Sequence, residues 1–501
     1  VKIKAEALRR ELIDATRTWS ADSEPENPSD VFVLTSHLNA LALNRPLVIG
    51  MRGAGKSFWS EVLCNDALRS ILTKKIDGYD KLTAVYPIRW DKGFLSDLPE
   101  TSTLADALSI GVSPRLLWLG LFLSKLQDKC REFSIKTGIP DHAEGWLQVF
   151  LWAKENPDTL RGALAKLEKA LQNNGQCVLL VIDGLDLIAG RLTQGVECLR
   201  GLLEVLLESR GLKGLRFKAF LREDMSNLSS VLSFTDASKL INEAPRLEWS
   251  REDIYALHFL KLAQKSNLFQ KLIEEKFGPP RQKSPYLHSV LTDYAPVSKK
   301  QSGDLAEILK LMAPPYMGKA INKGHVYSWW HKHVADGNGR VSPRTFSASM
   351  AAALSNTEGT AGASDHALTP KGIQQGLREA SEARVRELRD DYFWIETALT
   401  AFKGRPTPIE VKHIFNVWNG AGAGEERTPV PRLIREQCKK ENVLTPWDDT
   451  NRTVTASQHL LNTLVNLGIL TLRNEDTRLD MPDIYRLGYK ISKHGGVPTR
   501  R

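Results

Sequence analysis

Cysteine is scarce in this chain. The five in 501 residues (Cys64, Cys130, Cys177, Cys198 and Cys438) stand far apart, form no CxxC pair and are odd in number. That pattern excludes a disulfide scaffold and implies no zinc site, and it leads us to expect reduced thiols in a cytoplasmic protein. Long apolar runs are missing too. The most apolar stretches, LLWLGLF around Trp118 and VLLVI before Asp183, fall far short of the roughly 20 residues that span a bilayer. No membrane partner is expected. The opening VKIKAEALRRELIDATRTW mixes charged and apolar side chains without an apolar h-region, the pattern of an amphipathic helix more than of a signal peptide. Glycine (35) and proline (24) are near average, which excludes collagen-like and low-complexity chains. Charge of one sign does not dominate: 68 Lys+Arg face 59 Asp+Glu, a net of +9, and from Lys371 onward 21 cations face 17 anions. That excess allows nucleic acid as a partner without requiring it. What remains, with 42% hydrophobic and 25% charged residues, is a globular composition long enough for more than one core.

Four apolar runs, LVI (47 to 49), LTAVYPI (82 to 88), CVLLVI (177 to 182) and FKAFL (217 to 221), have the length and the β-branched or aromatic content of buried strands. Helix-period segments separate them, so the fold class is α/β with a mainly parallel sheet. A long Trp-rich helical stretch lies between the second and third runs. Farther on, WSREDIYALHFLKLAQKS opens a helix with Ser250 as cap and Glu252 and Asp253 in its first turn. The small, polar run SNTEGTAGASDHA (355 to 367) is the best linker in the chain. Beyond it come a long amphipathic helix, three shorter helical candidates (407 to 418, 429 to 440, 454 to 467) and a hairpin with its turn at Asn474 to Asp476. Three helices ending in a hairpin make a winged helix.

The strongest signal is Gly50-Met51-Arg52-Gly53-Ala54-Gly55-Lys56-Ser57, a full GxxxxGK[ST] match after a buried strand and before the amphipathic FWSEVLCNDALRSIL. In such a loop the backbone amides of Arg52, Gly53, Ala54, Gly55, Ser57 and Phe58 wrap phosphate at a helix N-terminus. Lys56 would hold the β- and γ-phosphates and Ser57 would ligate Mg²⁺. The acid that completes the metal site is Asp183, at the end of CVLLVID. Asp186 either orients an attacking water or supports the start of the following helix. The place after the metal aspartate is Gly184 and not Glu, which leaves the base open and suggests slow turnover. Arg222, ending the FKAFL strand, either senses the γ-phosphate, serves a neighbouring protomer, or pairs with Glu223 or Asp224. Arg344, just inside the helix after Ser342-Pro343, either points back to the nucleotide or is an ordinary first-turn arginine.

Together GMRGAGKS, VIDGLD, LRED, LEWSREDIYALHFLKLA and VSPRTF, spanning about residues 30 to 354, resemble the P-loop ATPases of the AAA+ and STAND group. The Asp183-Gly184 pair sits nearer the STAND side than the origin-recognition (ORC) side. With MPDIYRLGYKISKHGGVP the chain is similar to little-characterised bacterial ATPases associated with anti-phage defence. The resemblance implies ATP with Mg²⁺ bound between protomers of a homo-oligomer, and a winged helix that exchanges signals with a protein partner. The expected architecture is a helical arm (1–30), an α/β P-loop NTPase core of parallel sheet flanked by helices (31–245), an α-helical lid (246–354), a linker (355–370) and a helical plus winged-helix domain (371–501).

Two functions follow: an ATP-driven switch acting on a protein, or an ATPase that loads or remodels DNA through its winged helix. Basic residues are sparse on the third helix, TVTASQHLLNTLVNLG, where His459, Asn462 and Asn466 form a weak reading surface. Arg473, Arg478 and Arg486 near the hairpin are offset by Glu475, Asp476, Asp480 and Asp483, which favours protein contact. His325, His331 and His333 lie close in sequence, yet the i, i+2 spacing of the last pair puts them on different helix faces, against a metal site. No GxSxG elbow supports a Ser hydrolase. A small-molecule kinase would have the P-loop but no use for a winged helix, and nucleotide held without turnover is the remaining alternative.

Overall fold

The computed structural model describes residues 4–18, 25–90, 97–189, 193–226, 231–277, 299–319, 321–358, 365–421, 428–441, 443, 445–447, 454–473, 477–493 and 497. The chain divides into two compact units, one of Glu24–Leu247 with Lys439–Leu444, the other of Val1–Ser23, Glu248–Cys438 and Thr445–Arg501.

The first unit is built on five parallel strands: β1 (Leu47–Gly50), β2 (Leu82–Arg89), β3 (Cys177–Asp183), β4 (Leu215–Arg222) and β5 (Arg246–Leu247), in the order β2-β3-β4-β1-β5. Strand alternation sends side chains to two cores. Leu47, Ile49, Val178, Leu180, Ile182, Ala219 and Leu221 face a layer of helices that includes Pro114–Lys125, Pro157–Asn173 and Thr193–Glu208. Val48, Leu179, Val181 and Phe220 face the layer of Thr35–Leu41, Lys56–Cys64 and Asp66–Thr73. The protein therefore has an α/β core, a parallel sheet flanked by helices. The four strands expected from apolar runs are present. The fifth, two residues long, carries no pattern a sequence reading can find.

Two polar side chains fix the sheet's N-terminal edge. The Glu168 carboxylate, on Pro157–Asn173, accepts from the amides of Lys213, Gly214 and Leu215 and so pins the entry to β4. Lys218, fully buried on β4, donates to the carbonyls of Ala40 (2.7 Å), Ala42 (2.7 Å) and Arg45 (2.5 Å). Its one ammonium satisfies the loop that ends the helix Thr35–Leu41 and leads into β1.

The second unit is helical with a small antiparallel sheet. Ser250 caps Arg251–Lys265, and its side chain and that of Asp253 close a reciprocal capping box. Arg9, on the N-terminal helix Ala5–Thr18, donates to the carbonyls of Ala367 and His366, and Glu11 accepts from Ser266 and Leu268, so this helix belongs to the body of the unit. The helices Pro343–Glu358 and Pro370–Asp391 meet through glycine: Gly372 lies on Ala353 and Thr357, Gly376 on Ser349 and Ala353, an antiparallel pairing. Of the proposed linker, residues 359–364 lie outside the described residues. Toward the C-terminus the helices Val411–Trp418, Val430–Lys440 and Ala456–Asn466 precede a hairpin of β7 (Thr471–Arg473) and β8 (Arg478–Asp480), with β6 (Ile409–Glu410) pairing on β8. This is a winged-helix arrangement. The expected turn at 474–476 lies outside the described residues. One expectation is corrected: Arg486 is not on the hairpin surface but in a short helix, Asp483–Arg486, fully buried and bonded to Asp483 and to the carbonyls of Ile491 and Val497. The buried Ile484 and Tyr485 carry it inward.

No helix among the described residues is long and apolar enough to cross a membrane.

Candidate phosphate and metal site

The site forms where β1 runs out. Its four residues are all buried, and the chain leaves them through a loop in which Gly53 and Gly55 have φ of 75° and 96°. Those left-handed turns cost a residue with a Cβ roughly 1 kcal/mol or more each, which is why glycine occupies them. Ala54 is buried, its amide turned back to Met51. The helix Lys56–Cys64 then starts with Gly55 as its cap, a residue with no side chain to satisfy the first amides. A helix start with open N–H donors and the positive end of its dipole is a ready place for phosphate. Ser57 is exposed in that first turn, Arg52 is half-buried in the loop, and Phe58 sets its ring edge-on to Trp59.

Lys56 folds back over the loop, donating to the carbonyls of Gly50 (3.1 Å) and Met51 (2.9 Å). Burial pushes its pKa down to about 8, while the carboxylates of Asp183, Asp186 and Asp224 pull the other way and Arg222 adds to the depression. The structure thus gathers Lys56, Asp183, Asp186 and Arg222 into one electrostatic neighbourhood at the C-terminal ends of the strands, the edge where open α/β sheets bind ligands. Asp183 ends β3 and is 3% exposed. Gly184 follows with φ 77°, so the backbone itself disfavours Glu at that place. Asp186 is exposed in the first turn of Leu185–Ala189. Arg222, level with Gly50 across the sheet, holds Asp224 by both carboxylate oxygens (2.7 Å each). Of the two carboxylates next to it in sequence Arg222 thus takes Asp224, and Glu223 instead binds Arg246 (2.5 Å).

Two residues of this neighbourhood were missed. Arg89, level with Asp183 at the end of β2, is buried and paired with Glu61 of the P-loop helix. A pair separated by 28 positions leaves no local signal. Arg344 belongs to the second unit, in the first turn of Pro343–Glu358 and 3.9 Å from Glu387. The three histidines have separate environments. His333 bonds Asp483 (2.5 Å), His325 packs on Tyr316, and burial pushes His331 down to about 4.

No family model and no curated protein matches this chain. Among solved structures it is similar to the Walker-type ATPase PABY2304 of Pyrococcus abyssi (13% identity, 92% of this chain and 97% of that one, TM-score 0.39). It is also similar to the ORC2 protein of Aeropyrum pernix in ADPNP and ADP complexes (12% identity, 94% of each chain, TM-score 0.37). A third is the ORC1 protein of Aeropyrum pernix in complex with DNA (12% identity, 97% of this chain and 91% of that one, TM-score 0.31). At these scores the likeness carries no functional conclusion.

Proposed function

We propose that the protein is an ATP-binding, slowly hydrolysing switch of the AAA+/STAND type that assembles with copies of itself and regulates a protein partner, with bacterial anti-phage defence as its setting. The observation that supports it most is Lys56, its charge supported by the buried Asp183 carboxylate, at an uncapped helix start on a left-handed glycine loop. The loop amides from Arg52 to Phe58 wrap the phosphates, and Lys56 exchanges its two carbonyl acceptors for phosphate oxygens. The Ser57 hydroxyl and Asp183 carboxylate are hard oxygen donors of the kind Mg²⁺ takes. When bound, the metal neutralises charge on the β- and γ-phosphates. Asp186 orients the attacking water. Arg222, its fork held by Asp224, responds to the state of the nucleotide. With Gly184 where a Glu base would stand, turnover is slow.

Protein contact is favoured over DNA by the hairpin itself. Arg473 is exposed but tied to the buried Asp480 (2.5 Å), and Arg486 is buried, which leaves Arg478 as the exposed hairpin cation without an ion pair among the described residues. The test is mass in solution with and without Mg-ATP, beside binding of a labelled duplex. The switch reading expects growth in mass with ATP, lost in Lys56→Ala, and weak duplex binding indifferent to Arg478→Ala. Tight, salt-sensitive duplex binding that needs Arg478 would replace it with the DNA-loading reading.

A further inference from the structure

At the edge of the sheet opposite the P-loop lies a cavity of about 840 Å³. Its lining holds Arg45, Lys75, Lys81, Lys213 and Arg216 against a single carboxylate, Asp77. Arg45 leans on Glu243 (3.8 Å). Among the described residues, none of Lys75, Lys81, Lys213 and Arg216 forms an ion pair. Four unpaired cations around one concave surface repel each other, and that cost is recovered when a polyanion enters. Lys218 is not among them, because its ammonium is spent on the carbonyls that hold the cavity wall at Ala42 and Arg45.

Two further features narrow the occupant. Leu38, Leu43 and Ile76 give the cavity an apolar wall, suited to a flat or aliphatic ligand body. Gln176 also lines it, and its Oε1 is buried without a hydrogen-bond partner among the described residues. A buried acceptor left unsatisfied is destabilising, so a ligand bearing a donor is favoured there. Several negative charges, an apolar face and a hydrogen-bond donor belong together in a nucleoside polyphosphate.

We propose that this cavity is a second ligand site, for a nucleoside carrying two or more phosphates, separate from the P-loop. The placement suits a regulatory ligand. Arg45 leads into β1, Cys177 begins β3 and Arg216 lies on β4, and the same three strands end in Gly50, Asp183 and Arg222. β3 alone spans about 20 Å of rigid backbone between the two edges.

The experiment is equilibrium binding of ADP, and separately of inorganic pyrophosphate, to full-length Lys56→Ala protein without Mg²⁺, which weakens the P-loop site and leaves the cavity intact. The proposal expects one saturable, salt-sensitive site for ADP. It expects at least tenfold weaker binding after Lys213→Glu with Arg216→Glu in the same background, at an unchanged thermal midpoint. It also expects Gln176→Leu to weaken ADP and spare pyrophosphate. Absence of ADP binding in Lys56→Ala, or binding that survives the double charge reversal, would overturn it. So would a duplex DNA that binds through Lys213 and Arg216 where ADP does not. Because none of these outcomes needs an intact P-loop, the proposal stands or falls apart from the ATPase reading.

Discussion

One ammonium at Lys56 answers to two sets of neighbours: burial and the nearby Arg222 push its pKa down to about 8, while three carboxylates support its charge. Below that value the ammonium is present and can hold phosphate, and above it the charge is lost. ADP affinity should therefore fall about thirtyfold between pH 7 and 9.5, with a proton taken up on binding above pH 8. Calorimetry in buffers of different ionisation heat reads both, and a flat profile would remove Lys56 from the phosphate contact. Lys218 makes the opposite use of a buried amine, as a fixed structural donor to three carbonyls. Lys218→Met orphans all three, and we expect a loss of about 3 kcal/mol or more in urea unfolding, since each stranded acceptor costs about 1 kcal/mol or more. A change below about 0.5 kcal/mol, the range of ordinary surface substitutions, would mean that the loop holds itself.

Elements in this protein are joined by close approach as much as by apolar area. A Cβ at Gly376 would fall 2.3 Å from the Ser349 carbonyl oxygen and 2.6 Å from the Ala353 nitrogen, so no side chain fits without parting two helices. Gly376→Leu should destabilise the second unit by about 3 kcal/mol. The fluorescence of Trp330, whose indole donates to Ser349 (2.9 Å), reports the separation, and an unshifted spectrum at unchanged stability would contradict the packing.

Glu168 pins another junction. Burial works against its charge, yet the amides of Lys213, Gly214 and Leu215 hold its carboxyl below the usual value of 4.5. A depressed acid stabilises above the unfolded-state pKa and loses that contribution as pH falls through the folded-state one. Wild type should therefore lose stability below about pH 4.5 through this group, and Glu168→Gln should start less stable and change less there. Thermal midpoints from pH 7 to 3 decide it, and parallel curves would refute the pin.

These junctions also explain what the sequence could reveal. β1, β3 and β4 were legible because both faces of each are covered, which writes continuous apolar runs, the half-buried edge strand β2 because its run LTAVYPI stays apolar, and the glycine loop because left-handed backbone demands glycine at Gly53 and Gly55. β5 and β6, each two residues long, the Arg89–Glu61 pair and the seat of Arg9 on Ala367 depend on partners far along the chain. Nothing local records them. Arg486 was misplaced for a different reason: its partners, the Asp483 carboxylate and the carbonyls of Ile491 and Val497, are near in sequence, but a buried arginine bonded to carbonyls writes no pattern that separates it from a surface one.

At the scale of the whole molecule, one unit holds the candidate phosphate site on a parallel sheet and the other holds helices and a winged helix. In the proposed function Lys56 and Asp183 act together on Mg-ATP. The measurement that tests this most directly is steady-state ATP hydrolysis by the purified chain against Lys56→Ala and Asp183→Ala, with and without duplex DNA. The account predicts slow turnover, indifferent to DNA and abolished in both variants at unchanged thermal stability. Hydrolysis that survives Asp183→Ala at the wild-type rate would contradict it.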